Sequence, residues 1–135
     1  MPDRPGAPSS RREARERALG LLYEIDVKDR PAPDVLAELP VAPDQFTIDL
    51  VLGVGEHRAS IDELLGRYAR GWEVARMPVV DRTLLRMGTF ELLHRPDVPR
   101  NVVINEAVEL AKMYSTDDSG RFVNGLLARI ADETG

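Results

Sequence analysis

The chain has 135 residues, and its hydrophobic fraction of 43% and charged fraction of 30% are those of an ordinary globular domain. It contains no cysteine, which excludes a disulfide framework, a thiolate zinc site and a thiol nucleophile. No apolar run approaches the roughly 18 residues that a membrane span requires, and no signal peptide is recognisable, so we expect a cytoplasmic protein that does not enter a membrane. The net charge of −5 argues against a broadly basic nucleic-acid-binding surface, so such binding must use a local patch.

Hydrophobic periodicity predicts an all-α protein, because apolar residues recur at helical spacing and no β-type alternation is found. Residues 1–9 contain three prolines and a glycine and predict a disordered arm. Ser10 and Ser60 each stand three positions before a glutamate, the capping-box pattern that starts a helix. About seven helices are predicted, over approximately 10–28, 34–39, 44–59, 60–71, 78–94, 101–114 and 118–130. We expect two small helical bundles, about 10–73 and 74–135, packed into one domain that spans 10–135.

The first predicted helix separates its charges by sign. Arg11, Arg12 and Arg15 lie on one flank beside the apolar stripe, and the glutamates lie on the remaining side. Tyr23 lies further along the arginine flank, and arginines beside an exposed aromatic ring offer both phosphate contacts and a stacking surface. A solvated helix with intrahelical ion pairs explains the same flank, and the residues alone do not decide between the two interpretations.

The central helices carry four polar residues that need an explanation. His57 lies on a buried face with no second histidine nearby, which indicates a core residue and not a ligand. Glu91 lies among apolar residues and is predicted to be a paired carboxylate. Asp81 and Arg86 fit either structural ion pairs or contacts with a partner. No nucleotide-binding, hydrolase or metal-binding motif is present, so we expect no catalytic residue, no metal and no cofactor.

The last two predicted helices form a hairpin joined by an acidic and hydroxylic turn. Asn101 is the predicted N-cap of the first of them, and Asp118 of the second. Phe122 falls at the edge of the apolar stripe of the second helix. Gly125 lies beside that stripe, where the missing Cβ predicts the close approach of another helix.

The polar residues of this hairpin are more specific than its apolar spacing. The segment VVINEAVELAKMYSTDDSGRFVNGLL, residues 102–127, resembles the C-terminal signature of the NusB family of bacterial transcription antitermination factors. RREARERALGLLYEID resembles the arginine-rich first helix of that family, and MPVVDRTLLRMGTFELLHRPDVPRNVVINEAVELAK resembles its central block. The resemblance covers most of residues 11–130, with a looser match over 29–71.

The resemblance implies a non-catalytic helical adapter that binds the boxA RNA of ribosomal-RNA leaders together with NusE, a small-subunit ribosomal protein. This complex acts with other Nus factors on the RNA polymerase elongation complex and allows it to read through terminators. Matched position by position, the family implies RNA-binding roles for Arg11, Arg12, Arg15, Asp118, Ser119 and Phe122, and NusE-binding roles for Tyr23, Asp81 and Arg86. Glu13 departs from the family pattern, because many members have a basic residue there, and it lowers the charge of the arginine patch.

Two other functions fit parts of the sequence. One is a purely protein-binding helical module in which the arginine flank is only solvated. The other is a stand-alone relative of the N-terminal domain of a ribosomal-RNA cytosine methyltransferase, and the absence of a methyltransferase domain in these residues favours the adapter instead. The family contains both monomers and homodimers, so the sequence leaves the oligomeric state open.

Overall fold

The structure is a computed structural model that describes residues 10–134. In this range the chain is helical and has no β-strand, which confirms the all-α prediction. The predicted disordered arm, 1–9, lies outside the described residues. The helices are α1 (Arg11–Lys28), α2 (Ala32–Ala37), α3 (Gln45–Tyr68), α4 (Val79–His94), α5 (Arg100–Tyr114) and α6 (Asp117–Thr134), with a short 3-10 helix (Val74–Arg76) between α3 and α4. None of these helices is both long and apolar enough to cross a membrane.

Helix α4 is the centre of the fold, as its apolar residues on all sides predict. Every residue from Thr83 to Leu92 is buried. The helix packs against α1 and α3 and also against α5 and α6, so it belongs to both halves of the molecule. The division into two bundles near residue 73 therefore stays a prediction.

Helix α3 runs through the position where two helices were predicted, so the capping box at Ser60 is wrong. The Ser60 hydroxyl donates a hydrogen bond to the backbone carbonyl of His57 at 3.0 Å and caps nothing. Val54, Ile61 and Leu65 continue one buried stripe across this position, each at most 3% exposed. The buried face of the helix continues through Ser60 without a break. Burial of this face therefore stabilises one long helix where the capping signal predicts two.

The caps of the last two helices also differ from the prediction. Pro99 precedes α5 and fixes the backbone for its start, so Asn101 is an exposed residue of the first turn and not the cap. Thr116 caps α6, because its Oγ1 accepts a hydrogen bond from the backbone N–H of Ser119 at 3.0 Å. Asp118 already lies inside α6, where it cannot act as the N-cap.

Close helix contacts occur at two glycines other than the predicted Gly125. A Cβ at Gly53 would lie 2.2 Å from the ring of Phe90, and a Cβ at Gly88 would lie 2.7 Å from the side chain of Leu127. No atom lies within 4 Å of a Cβ at Gly125, which is exposed on α6. The absence of a side chain at Gly53 therefore allows α3 to pack closely against α4, and its absence at Gly88 allows α4 to pack closely against α6.

Gly53→Ala should lower the free energy of unfolding by about 1–3 kcal/mol, because its Cβ overlaps the Phe90 ring in the core. Gly125→Ala is the matched control and should raise it by about 0.5–1 kcal/mol, since alanine favours the helix and the space is open. Thermal unfolding followed by circular dichroism measures both. A Gly53→Ala protein that melts at or above the wild-type temperature would contradict this contact.

Candidate nucleic-acid interface

Arg15 lies in the core between α1 and α4. Its side chain is 4% exposed and donates hydrogen bonds of 3.0 and 2.7 Å to the two carboxylate oxygens of Glu91. Glu91 is thereby confirmed as a paired carboxylate. The RNA contact of Arg15 stays a prediction, and in this conformation its guanidinium has almost no exposed surface.

Arg11 and Arg12 keep half of their side chains exposed, 51% and 49%. Arg11 lies 4.3 Å above the ring of Phe46 and 3.5 Å from the carboxylate of Asp97. The Nε of Arg12 donates a hydrogen bond to Glu106 on α5 at 2.9 Å, and its Nη2 forms an ion pair with the same carboxylate oxygen at 2.8 Å. These contacts join α1 to other parts of the fold, so the arginines are held in place while other N–H groups still face solvent.

Asp97 lies beside Arg11 and Arg95 as an ionised carboxylate at neutral pH. A hydrogen bond from Arg95 lowers the pKa of Asp97 to about 2, against a smaller opposing effect of desolvation, and the charges of Arg95 and Arg11 add to the lowering. Arg95 also lies over the Phe46 ring, at 4.9 Å. The first turn of α1 is therefore fixed by an aromatic ring and a carboxylate together.

Tyr114 connects the arginine end of α1 to the turn between α5 and α6. Its hydroxyl donates to Glu16 at 2.6 Å, and this hydrogen bond raises the pKa of Tyr114, with desolvation adding to it. The side chain is 49% exposed. Its helical spacing predicts a place on the apolar face of α5, so the exposed position of this aromatic ring was not predicted.

Ser119 and Asp81 are buried together where α6 meets α4. The Ser119 hydroxyl donates to Oδ2 of Asp81 at 2.8 Å, and Thr116 donates to Ser119 at 3.0 Å. Asp81 is 4% exposed, and within the described residues its Oδ1 has no hydrogen-bond partner. One carboxylate oxygen therefore stabilises the α4–α6 contact and the other is left unused.

Phe122 forms an aromatic pair with Trp72, with ring centroids 5.9 Å apart and an interplanar angle of 51°. Phe122 is half-buried, and Trp72 is 51% exposed. Asp118 is exposed beside them and pairs with Arg121. These residues lie around a cleft of about 210 Å³, lined by Trp72, Pro78, Asp81, Thr116, Asp118, Ser119 and Phe122. The structure thus brings Asp118, Ser119 and Phe122 together, and it adds Trp72, the single tryptophan of the chain, which was not among the predicted site residues.

The three residues implied for NusE binding do not share one exposed surface. Tyr23 is 44% exposed on α1. Arg86 is 5% exposed and donates to Asp62 at 2.8 and 3.0 Å and to Asp26 at 3.1 Å. Asp81 is buried under α6, so Arg86 and Asp81 are structural groups in this conformation. Their roles in partner binding stay predictions.

His57 is not the isolated core histidine that was predicted. It is half-buried and stacks on His94, with ring centroids 4.1 Å apart. Burial lowers the pKa of His94, and the nearby His57 lowers it further, while Glu56 opposes the shift. The sequence could not show this pair, because α3 and α4 bring together residues that lie 37 positions apart.

The described residues contain no group of three or more histidine, aspartate or glutamate side chains placed to hold a metal ion.

The sequence matches the NusB family over residues 12–132. A transcription antitermination protein NusB of Kineococcus radiotolerans is 48% identical over 128 residues, which cover 92% of this chain and 94% of that protein. The transcription antitermination protein NusB of Saccharopolyspora erythraea is 52% identical over 128 residues, covering 90% and 86%.

Solved structures agree with the sequence comparison. NusB of T. maritima superposes with a TM-score of 0.84 at 38% identity, covering 93% of each chain. A chain from a crystal structure of the antitermination factors NusB and NusE in complex with double-stranded RNA superposes with a TM-score of 0.78 at 26% identity, covering 91% of this chain and 96% of that one. The resemblance carried by the arginine-rich helix, the central block and the C-terminal hairpin is therefore confirmed, and the chain belongs to the NusB family.

Proposed function

We propose that this chain is a non-catalytic, cytoplasmic RNA-binding adapter in transcription antitermination of ribosomal-RNA operons. It binds boxA-type RNA together with NusE, and the complex acts with other Nus factors on the elongating RNA polymerase. Membership of the NusB family supports this function, and so does a relative that was crystallised with NusE and RNA.

The observation that carries the proposal is an exposed strip of cations and aromatic rings on an otherwise acidic protein. Side-chain bonds join α1 to α5 at two places, Arg12 to Glu106 and Glu16 to Tyr114. We call this surface the strip. It consists of the half-exposed Arg11, Arg12 and Tyr114, and it ends at the α5–α6 turn. Guanidinium groups bind phosphates, and exposed aromatic rings stack on unpaired bases, so the strip suits a single RNA strand.

The net charge explains why an adapter needs a partner. At −5 the protein as a whole repels a phosphate chain, so attraction must come from local patches such as the strip. The isolated protein then binds RNA weakly, and a basic partner that extends the strip adds the missing phosphate contacts.

Arg11→Gln combined with Arg12→Gln should weaken RNA binding and reduce the slope of log K against log salt by about 1.4, or about 0.7 for each phosphate that an arginine no longer neutralises. The melting temperature should stay close to the wild-type value, because both side chains are half exposed. Binding of a boxA-type RNA measured by fluorescence anisotropy at several salt concentrations gives the affinity and the slope.

The matched control is Lys28→Gln combined with Arg30→Gln, which removes two positive charges near the opposite end of α1. It should leave the salt slope unchanged. Equal RNA affinity for the two double variants would contradict the proposal that RNA binds to the strip. A wild-type chain that binds NusE but no RNA, even in the complex, would favour the protein-binding module.

A further inference from the structure

An open groove of about 500 Å³ lies between α3 and α4. We call it the α3–α4 groove; it is lined by Asp49, Leu52, Glu56 and His57 of α3 and by Phe90 and His94 of α4. None of the residues with an implied role in RNA or NusE binding lines it. The groove is therefore a surface of the protein that the proposed function does not yet use.

Flat rings and an exposed aliphatic side chain form the apolar part of the groove. The ring of His94 stacks on His57, with centroids 4.1 Å apart, and lies 5.4 Å from the ring of Phe90 on its own helix. Leu52 is 39% exposed and lines the same groove. This combination suits a partner that brings one apolar side chain and one planar group.

Glu56 gives the groove a carboxylate that the fold does not use. It is exposed, and its side chain has no ion pair or hydrogen bond among residues 10–134. Burial lowers the pKa of His94, so this ring is uncharged at pH 7 and does not neutralise Glu56. Glu56 is therefore available to bind a cation.

The single guanidinium in the groove, that of Arg95, is already neutralised. Arg95 donates two hydrogen bonds to Asp97, at 2.9 and 3.0 Å, and one to Asp49 at 3.1 Å. Two carboxylates thus share one positive charge, and Glu56 adds a further negative charge. The α3–α4 groove is therefore acidic at neutral pH.

The charge of the groove decides which class of molecule occupies it. RNA carries a negative phosphate at each nucleotide and is repelled, and a second copy of this chain carries the same net charge of −5. A basic segment of another protein matches the groove. Arginine fits better than lysine, because a guanidinium stacks on a ring and also binds a carboxylate through two N–H groups.

The groove adjoins the arginine end of the strip. Arg95 lines the groove and lies 4.9 Å from the ring of Phe46, and Arg11 lies 4.3 Å from the same ring. A basic segment in the groove would therefore lie beside RNA bound to the strip. Its remaining cations would add phosphate contacts that this acidic chain lacks.

We propose that the α3–α4 groove docks an arginine-bearing segment of a further protein of the elongation complex, with the guanidinium on Glu56 and the histidine rings and an apolar residue on Leu52. This inference rests on the proposed function, which supplies the complex. It adds to that function a second protein-binding surface, separate from the residues implied for NusE.

The affinity test uses the chain already bound to NusE and boxA-type RNA. Biolayer interferometry measures how tightly this assembly joins an elongation complex made of RNA polymerase and the other Nus factors. Glu56→Lys should weaken joining about tenfold or more, because it reverses the charge that binds the guanidinium, and Leu52→Gln should weaken it about fivefold.

The matched control is Glu63→Lys, the same charge reversal on the same helix. Glu63 is 71% exposed and does not line the groove, so this variant should change the affinity less than twofold. All three substituted side chains are exposed. We therefore expect each variant to fold and to bind NusE and boxA-type RNA as the wild type does.

A chemical footprint shows whether the groove itself is occupied. The chain has two histidines, and both line the groove, so acylation by diethyl pyrocarbonate followed by mass spectrometry reports on this surface. The elongation complex should protect His57 and His94. NusE and boxA-type RNA without polymerase should leave them reactive, and Glu56→Lys should reduce the protection.

The outcomes separate this docking surface from the proposed function. If the wild type joins the elongation complex with both histidines still reactive and Glu56→Lys joins equally well, the docking proposal is wrong and the adapter function stands. If the chain joins no elongation complex, both are wrong. Protection by NusE alone, or by self-association of the isolated chain, would give the groove a different occupant and overturn the proposal.

Discussion

Replacing Glu91 with leucine is expected to lower the free energy of unfolding by about 3–5 kcal/mol, because the guanidinium of Arg15 is then buried without a counter-charge. The carboxylate of Glu91 is 2% exposed and is bound by Arg15 through two hydrogen bonds. Water cannot replace it without opening the α1–α4 contact. Chemical denaturation of the two proteins at pH 7 measures the difference.

A second substitution tests this explanation. In Arg15→Met/Glu91→Leu both charges are gone and the volume is filled, so most of the stability should return, and the coupling between the two sites should be large. This double variant also isolates the role of Arg15 in RNA binding. If Arg15 acts only by holding α1, the variant keeps the wild-type RNA affinity. A Glu91→Leu protein as stable as the wild type would show that the pair is not a structural contact.

Asp26→Asn should lower the free energy of unfolding by about 3 kcal/mol, because it removes a buried carboxylate that pairs with three arginines. Arg82 donates to both oxygens of Asp26 at 2.7 and 2.9 Å, Arg86 donates at 3.1 Å, and Arg58 lies at 3.6 Å. A neutral amide offers one acceptor oxygen to these groups and repels them with its own N–H donors. Arg58→Gln is the control, since it removes the most distant and most exposed of the three partners and should cost far less.

The same carboxylate should make the protein sensitive to acid. Desolvation raises the pKa of Asp26, but the hydrogen bond from Arg82 and the charges of all three arginines outweigh it, so the pKa is lowered in the folded state. A lowered pKa stabilises the fold above the unfolded pKa, about 3.9, and this stabilisation is lost as the pH falls through the folded value. Between pH 5 and pH 3 the wild type should therefore lose more stability than Asp26→Asn. Parallel losses in the two proteins would contradict this linkage.

Hydrophobic spacing predicted that the chain is helical and where most of the helices lie. It did not predict the helix boundary near Ser60, where a local capping signal competes with packing. Ser10 and Ser60 carry the same capping signal, yet only Ser10 caps a helix, through a 3.1 Å bond from the backbone N–H of Glu13. Ser60 is followed by Ile61, which is fully buried, and continuing the helix keeps it so. A capping box of this kind is decided by the neighbouring helices and not by its own residues.

The candidate site was predictable in its position and less so in its contacts. Helical projection placed Arg15 on the same flank as Arg12, but it could not show that Glu91, 76 positions away, lies opposite Arg15 in the core. Tyr23 was predicted to be exposed, and it is. Trp72 lies in a connection without periodicity, so only the folded chain shows that it faces Phe122.

The salt dependence of RNA binding, with and without NusE, tests the adapter function most directly. The isolated chain offers two or three exposed arginines to RNA, so its slope of log K against log salt should be about −1.4 to −2, with weak affinity. The complex with NusE should bind the same boxA-type RNA more tightly and with a steeper slope, because the partner adds phosphate contacts. A lone chain that already shows the affinity and slope of the complex would contradict the adapter function.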